Sequence, residues 1–313
     1  MKSLGKKKRT GRGSFGHYFK AHWQLYLMIS LPVILLLVFA YAPMYGVLLA
    51  FKNYQVSLGI WGSPWAENHG LNNFIRFFNN YNFKECLRNT LVISLYSMVV
   101  TMPCSILLAL SLNYAKNIFF RKTVQMITYC PYFISTIVFV GIINLMLDTR
   151  VGILGKFIKD TFGVSVLGSA NLFPSLYVWT GVWQGVGFGA IIYIAALAGV
   201  DMEQHEAAII DGATLLQRIR YVDLPAIRPT VVTMLIFACG NMINIGFDKV
   251  FLMQNSMNLA KSEVIATFVY KVGLVNADYG FSTAAGLFQS LVSFIMLVTV
   301  NQISKKITET SLW

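Results

Sequence analysis

Residues 201–228 read DMEQHEAAIIDGATLLQRIRYVDLPAIR, a polar stretch between two intervals, 161–200 and 229–247, that contain no charged residue. Within it, Met202 to Ile210 predicts a short helix. Ala207 and Ala208 are small enough to let another backbone come close, and Gly212 permits the sharp turn that would end the helix. A second helix is expected over 214–221, after which Pro225 should break the chain before it enters the next apolar interval. Such a helix-turn-helix would lie along a membrane face and present one surface for docking. An ordinary amphipathic loop would carry the same pattern, and the residues alone do not decide between the two.

A bilayer span takes about 20 mostly apolar residues. Working outward from the loop, six charge-free intervals meet that length. They lie between Lys20 and Lys52, Arg88 and Lys116, Lys122 and Asp148, Asp160 and Asp201, Arg228 and Asp248, and Asp278 and Lys305. The fourth is longer than one span, so 161–171 reads as loop and the helix should begin near Leu172. The fifth is the shortest, which puts Asp248 at or just inside the membrane boundary. The expected fold is therefore all-α, a polytopic membrane protein with six transmembrane helices.

Composition agrees: 56% of the 313 residues are apolar and 12% charged, with a mean hydropathy of +0.60. Soluble domains carry about 25% charged residues. The basic excess, 25 Lys and Arg against 13 Asp and Glu, sits beside the apolar segments, as a topology signal does and a nucleic-acid surface does not. Seven basic residues (Lys2, Lys6, Lys7, Lys8, Arg9, Arg12, Lys20) and no acid precede the first span. With that tail in the cytoplasm, the inner segments hold fifteen of the 25 basic residues, so both termini and the 201–228 loop are expected inside. Ala40-Tyr41-Ala42 has the form of a signal-peptidase site. Pro43 directly after it, and the apolar run to Ala50, favour a retained helix.

Chemistry of the soluble kind is not apparent. No GxxxxGK[ST] phosphate loop occurs: Gly155-Lys156 is followed by Phe157, and position 150 is Arg. The histidines (His17, His22, His69, His205) are scattered, and Cys86, Cys104, Cys130 and Cys239 form no CxxC and read as small hydrophobes. No catalytic, cofactor or metal site is expected in this chain, and any energy source would be another chain or a gradient.

The loop resembles the EAA signature of bacterial ABC-importer permeases, E-A-A-x-x-x-G with a downstream I-x-L-P. Glu206, Ala207, Ala208, Gly212, Leu224 and Pro225 match it, as does the Asp211-Gly212-Ala213 form usual in sugar importers; Val222 stands where Ile is commoner. Tyr41-Ala-Pro-Met-Tyr-Gly46, Pro131-Tyr-Phe-Ile-Ser135, the 279–290 stretch and Ser311-Leu-Trp313 look like the oligosaccharide branch, whose members take polysaccharide fragments such as rhamnogalacturonan and alginate oligomers. The resemblance implies a type I importer permease fold, with a basic tail at 1–23 and a first helix at 24–50 outside the core. A five-helix core at 86–304 would carry the coupling loop, and 305–313 would be a cytoplasmic end. It implies that Glu206 makes a polar contact to a separate ATPase, that Ala207 and Ala208 pack closely on it, and that Gly212 makes the turn. ATP and Mg2+ would be bound by that partner and not here. One loop per chain and two clefts per ATPase pair call for two permease chains, in this branch usually a heterodimer. An extracytoplasmic solute-binding protein would deliver an oligosaccharide.

Polar residues inside a span tend to face a cavity or another helix. Asn241, Asn244 and Asp248 recur at i, i+3 and i+7, one helical face of the expected fifth span. Trp179, Trp183 and Gln184 cluster in the fourth, with Gly185, Gly187 and Gly189 thinning the helix; Tyr129 and Tyr132 flank Pro131 in the third. Aromatic faces and amides suit sugars, whose C–H faces stack while their hydroxyls need partners. The same residues would serve as glue between helices, and both roles stay open. A gradient-driven carrier would show ionisable groups deep in spans or internal repeats. A membrane-embedded enzyme would cluster His, Asp or Glu at one face; the one acidic cluster, Asp201, Glu203, Glu206 and Asp211, belongs to the loop. An importer of amino acid, phosphate or polyamine would keep the class and change the cargo, against the resemblance of the C-terminal stretch.

Overall fold

The computed structural model describes residues 19, 22–308 and 311–312, so the seven basic residues of the tail, Lys20 included, lie outside the described residues. Five continuous helices are long and apolar enough to cross a bilayer: α1 (Trp23–Phe51), α3 (Phe83–Asn113), α7 (Ala170–Leu197), α9 (Leu215–Gly240) and α13 (Tyr279–Thr308). A sixth span is divided into α4 (Ile118–Phe133) and α5 (Thr136–Leu147). Shorter helices connect them: α2 (Asn72–Phe78), α6 (Ile153–Phe162), α8 (Met202–Ile210), α10 (Phe247–Met253), α11 (Leu259–Ser262) and α12 (Ile265–Val275). Among the described residues the only β pairing is an isolated bridge between Lys52 and Trp65.

The most extensive pairing is α3 with α7; α9 packs on α7 and α13, and α1 leans on α13 through Ala42–Phe51. Three apolar clusters hold the body. Ile93, Phe139, Phe173 and Val250 join α3, α5, α7 and α10; Phe77, Cys86, Ile265 and Phe281 join α2, α3, α12 and α13; Ala109, Ala190, Tyr193 and Ile227 join α3, α7 and α9. Large apolar residues also point outward along the spans, Phe39, Leu107 and Phe294 among them. Where lipid replaces water that exposure costs nothing, and the helical backbone satisfies its own polar groups. A Cβ on Gly187 would strike the Thr128 backbone, so α4 and α7 cross at backbone contact, as small residues allow between membrane helices.

Two spans differ from the expected form. The third is no straight rod: α4 and α5 meet at 100°. Pro131 ends α4 in a 3-10 turn over Cys130–Phe133, Ile134 is extended, and the extended Ser135 accepts a hydrogen bond from the Val138 N–H to start α5. The fifth begins earlier and ends sooner than expected. Pro225 does not break the chain, because a π turn over Ile219–Asp223 precedes it and the proline occupies the start of the α-helical segment Leu224–Gly240, where its missing N–H has little cost. The second helix of the loop therefore runs into the span as one element, α9, which stops at Gly240.

Candidate functional site

At the loop, Asp201 caps α8 by accepting the Glu203 N–H at 3.0 Å. At the other end Gly212 takes φ +77°, Ala213 N–H bonds Ala208 C=O, and Gly212 N–H bonds Ile209 C=O. That pair of bonds is the Schellman arrangement, which needs a left-handed residue at the position of Gly212. Thr214 and Gln217 form a capping box that starts α9. The outcome is two rigid helices joined by a tight turn. Their tip leaves Glu206, Ala207 and Asp211 exposed, with Ala208 and Ala213 half-buried, and carries the apolar Ile210 (86% exposed) and Leu216 (75% exposed). A small apolar knob ringed by carboxylates is chemically a docking surface for another protein. Leu224 and Pro225 lie behind it, at the base of the span.

Behind the exposed tip is a buried polar cluster. Asp223 has no exposed surface; its Oδ2 accepts the Tyr114 hydroxyl at 2.6 Å, and its Oδ1 lies 3.3 Å from His205 Nε2 in poor hydrogen-bond alignment. The Arg218 guanidinium lies 5.5 Å over the Tyr114 ring. Burial, and next the Asp223 carboxylate, push the Tyr114 hydroxyl up to about 12, so it keeps its proton and acts as the donor.

The intramembrane candidates separate into two hollows. Asn241 and Asn244 do not share a helical face, since 241–246 is non-helical and Asp248 falls in the first turn of α10. The turn nevertheless folds both amides into one hollow of about 310 Å³, with Ser94, Ser97 and Thr101 of α3 and Tyr177 of α7. Ser94, Ser97 and Thr101 follow i, i+3, i+7 spacing, so a hydroxyl face opposes an amide face. A smaller hollow of about 190 Å³ shares Met98, Thr101 and Ala238 with it and extends along α3 to Ser105 and Tyr193. Tyr132 and Gln184 line a different hollow, about 500 Å³, at the bend between α4 and α5. There Tyr132 stacks on Phe188 at 3.9 Å, and Gln184 Nε2 reaches the Ile134 carbonyl at 3.5 Å. Trp179, Trp183 and Asp248 line neither hollow: Trp179 Nε1 donates to the Tyr96 hydroxyl at 3.1 Å, and Trp183 packs on Phe139.

Sequence reasoning missed the hydroxyl stripe on α3, the Tyr114–His205–Asp223 cluster and the buried Lys249. The stripe was legible as polar residues at helical spacing within a span. The cluster was not, because Tyr114 and Asp223 are 109 positions apart. Lys249 reads as an outer-loop charge until the fold turns it inward.

A chain of this architecture, six spans with a rigid polar hairpin leading into the fifth, belongs with importer permeases. Residues 102–309 match the family described as binding-protein-dependent transport system inner membrane component, and the chain belongs to it. Protein LplB of Bacillus subtilis (strain 168) is 38% identical over 92% of this chain and 91% of its own length. The polygalacturonan/rhamnogalacturonan transport system permease protein YteP of the same organism is 36% identical over 92% and 90%. A crystal structure of a bacterial ABC transporter that imports the acidic polysaccharide alginate contains a chain 31% identical to this one, with TM-score 0.85, covering 95% of this chain and all of that one. A second structure of the alginate transporter, in complex with an alginate pentasaccharide-bound periplasmic protein, has TM-score 0.85 over 96% of this chain. This chain is an inner-membrane permease with a multi-pass, all-helical fold.

Proposed function

We propose that the chain forms half of the translocation pathway of an ATP-driven oligosaccharide importer and receives the ATPase on the 201–228 hairpin. The observation that carries this is the hairpin itself: an exposed, capped helix pair whose second helix is continuous with a spanning helix, so a push at its tip moves α9. Glu206, Ala207, Ala208, Asp211, Gly212 and Ala213 form the docking tip, with Leu224 and Pro225 at its base. ATP and Mg2+ are bound by the partner ATPase. The hairpin and both termini face the cytoplasm by the charge distribution. A second, homologous permease supplies the other half, and a solute-binding protein delivers cargo from outside. The similarity to YteP and to the alginate transporter supports an oligosaccharide as that cargo. Within this chain, the amides of Asn241 and Asn244 opposite Ser94, Ser97 and Thr101 offer a sugar donors and acceptors without a formal charge. Tyr132 and Gln184 offer a ring and an amide at the second hollow.

The test is purification of the tagged chain from its host in mild detergent, with its stoichiometric partners identified by mass spectrometry. Recovery of an ATPase and a second permease bearing the same hairpin motif is the expected result. A chain recovered alone or as a homomer, without an ATPase, contradicts the proposal and favours a gradient-driven carrier.

A further inference from the structure

The hairpin has an inner side as well as an outer one. Glu206 faces outward, exposed, while its neighbour His205 is turned inward and buried beside Asp223. Asp223 lies in the π turn within α9, where the hairpin passes into the span, and Tyr114 caps the end of α3. The two neighbouring helices of the hairpin and the distant end of α3 thus converge on one carboxylate, which α3 reaches by a direct hydrogen bond and α8 by the close His205 contact.

We infer that Asp223 is a positioning residue that makes α8, the inner end of α3 and the base of α9 move as one body, so that a displacement of the hairpin reaches two spans together. This rests on the reading that the hairpin docks an ATPase. The physical reason is the difference between apolar and charged contacts. The apolar residues around the joint, Ala109, Leu110, Ile219 and Ile227, attract without direction and can slide. A buried carboxylate cannot: parting it from its hydrogen-bond partner leaves an uncompensated charge in a medium that solvates it poorly. The Tyr114–Asp223 bond is short and charge-assisted, the kind with the steepest dependence on geometry. Arg218, stacked on the same tyrosine ring, closes the cluster from the α9 side. An apolar residue at 223 would pack the same space and allow slip; the carboxylate converts a greasy contact into a fixed joint.

The experiment needs the assembled importer (both permeases, ATPase and binding protein) in proteoliposomes, and no knowledge of the cargo. Cys86, Cys104, Cys130 and Cys239 are replaced by Ala, and Asn244→Cys reports opening of its hollow through its labelling rate with a membrane-impermeant thiol reagent. Labelling is compared without nucleotide and after trapping with ATP and vanadate, and ATP hydrolysis is measured in the same vesicles. Trapping is expected to change labelling by about fivefold or more in the parent, the scale of an ordinary allosteric coupling. Asp223→Asn and Tyr114→Phe are expected to shrink that change to less than about twofold while hydrolysis continues within about twofold of the parent. Tyr114→Phe keeps the ring under Arg218 and removes a single hydroxyl, so it decides the matter if Asp223→Asn fails to assemble. The inference is overturned if Tyr114→Phe, or an assembled Asp223→Asn, keeps the full labelling change, or if labelling and hydrolysis fall in proportion in Tyr114→Phe, which marks simple loss of assembly. A parent that binds no ATPase removes the importer reading itself and this inference with it, whereas a parent that binds the ATPase but whose labelling ignores ATP overturns the inference alone.

Discussion

The Lys249 ammonium donates to the Tyr177 carbonyl at 3.0 Å and lies 4.8 Å from the Tyr177 ring and 5.5 Å from the Phe139 ring. The residue is 9% exposed, and no carboxylate lies within 4 Å of it among the described residues. A single side chain thereby ties α10 to α7 and to the second half of the broken third span. A cation held this way is satisfied by a carbonyl dipole and two ring faces.

Removing it should be felt as a loss of stability. Lys249→Ala forfeits a charged hydrogen bond and leaves a cavity, and about 2–4 kcal/mol of destabilisation is expected. Lys249→Met keeps most of the stem and should lose less. Thermal unfolding of the purified complex in one detergent ranks the two; an alanine variant as stable as the parent would contradict the pinning role.

At the hairpin turn, Gly212 has φ +77°, a conformation that costs a β-branched residue about 1–2 kcal/mol and Asn much less. Gly212→Val should abolish ATP-dependent uptake while the chain still inserts in the membrane, and Gly212→Asn should retain most of it. Uptake in membrane vesicles, normalised to the amount of inserted chain, separates the outcomes. Full activity of the valine variant would mean that the turn does not shape the docking tip.

Glu206 is exposed and makes no side-chain hydrogen bond or ion pair among the described residues, so changing it has little structural cost. Replacement by Lys reverses the charge at the docking tip and should lower co-purification of the ATPase by about tenfold or more, in line with like-charge penalties at interfaces. The measurement is a pull-down quantified against the partner permease. Undiminished ATPase recovery would place the docking surface elsewhere.

In the hollow lined by both amides, the Asn241 side chain also donates to the Phe237 carbonyl at 3.0 Å and so helps end α9, whereas the Asn244 side chain makes no such bond among the described residues. Asn244→Ala should therefore change uptake with no shift in melting temperature. Asn241→Ala should change uptake and cost about 1 kcal/mol as well. Neither should weaken ATPase association. If uptake kinetics are untouched in both, the cargo does not pass this hollow.

What could be read from the chain itself was whatever depends on local pattern. Charge-free intervals bounded by Lys, Arg and Asp marked all six crossings, because a bilayer tolerates little else over that length. Asp201, Gly212 and Ala213 specify their helix end through bonds within a few residues, so Met202–Ile210 was legible to the residue. The tertiary structure alone decided the rest. The 100° bend at Ile134 and Ser135 depends on where α5 can pack, and a proline near a span does not say whether the helix kinks or stops. Pro225 was read as a breaker because the π turn before it has no sequence signature. Asn241 and Asn244 meet through a turn where helical periodicity was expected. Tyr114, His205 and Asp223 come together only because the end of α3 packs against α8 and against the π turn within α9, and no spacing along a chain encodes that. Local bonding is written in neighbouring residues; a buried charge finds its partners only once the helices have packed.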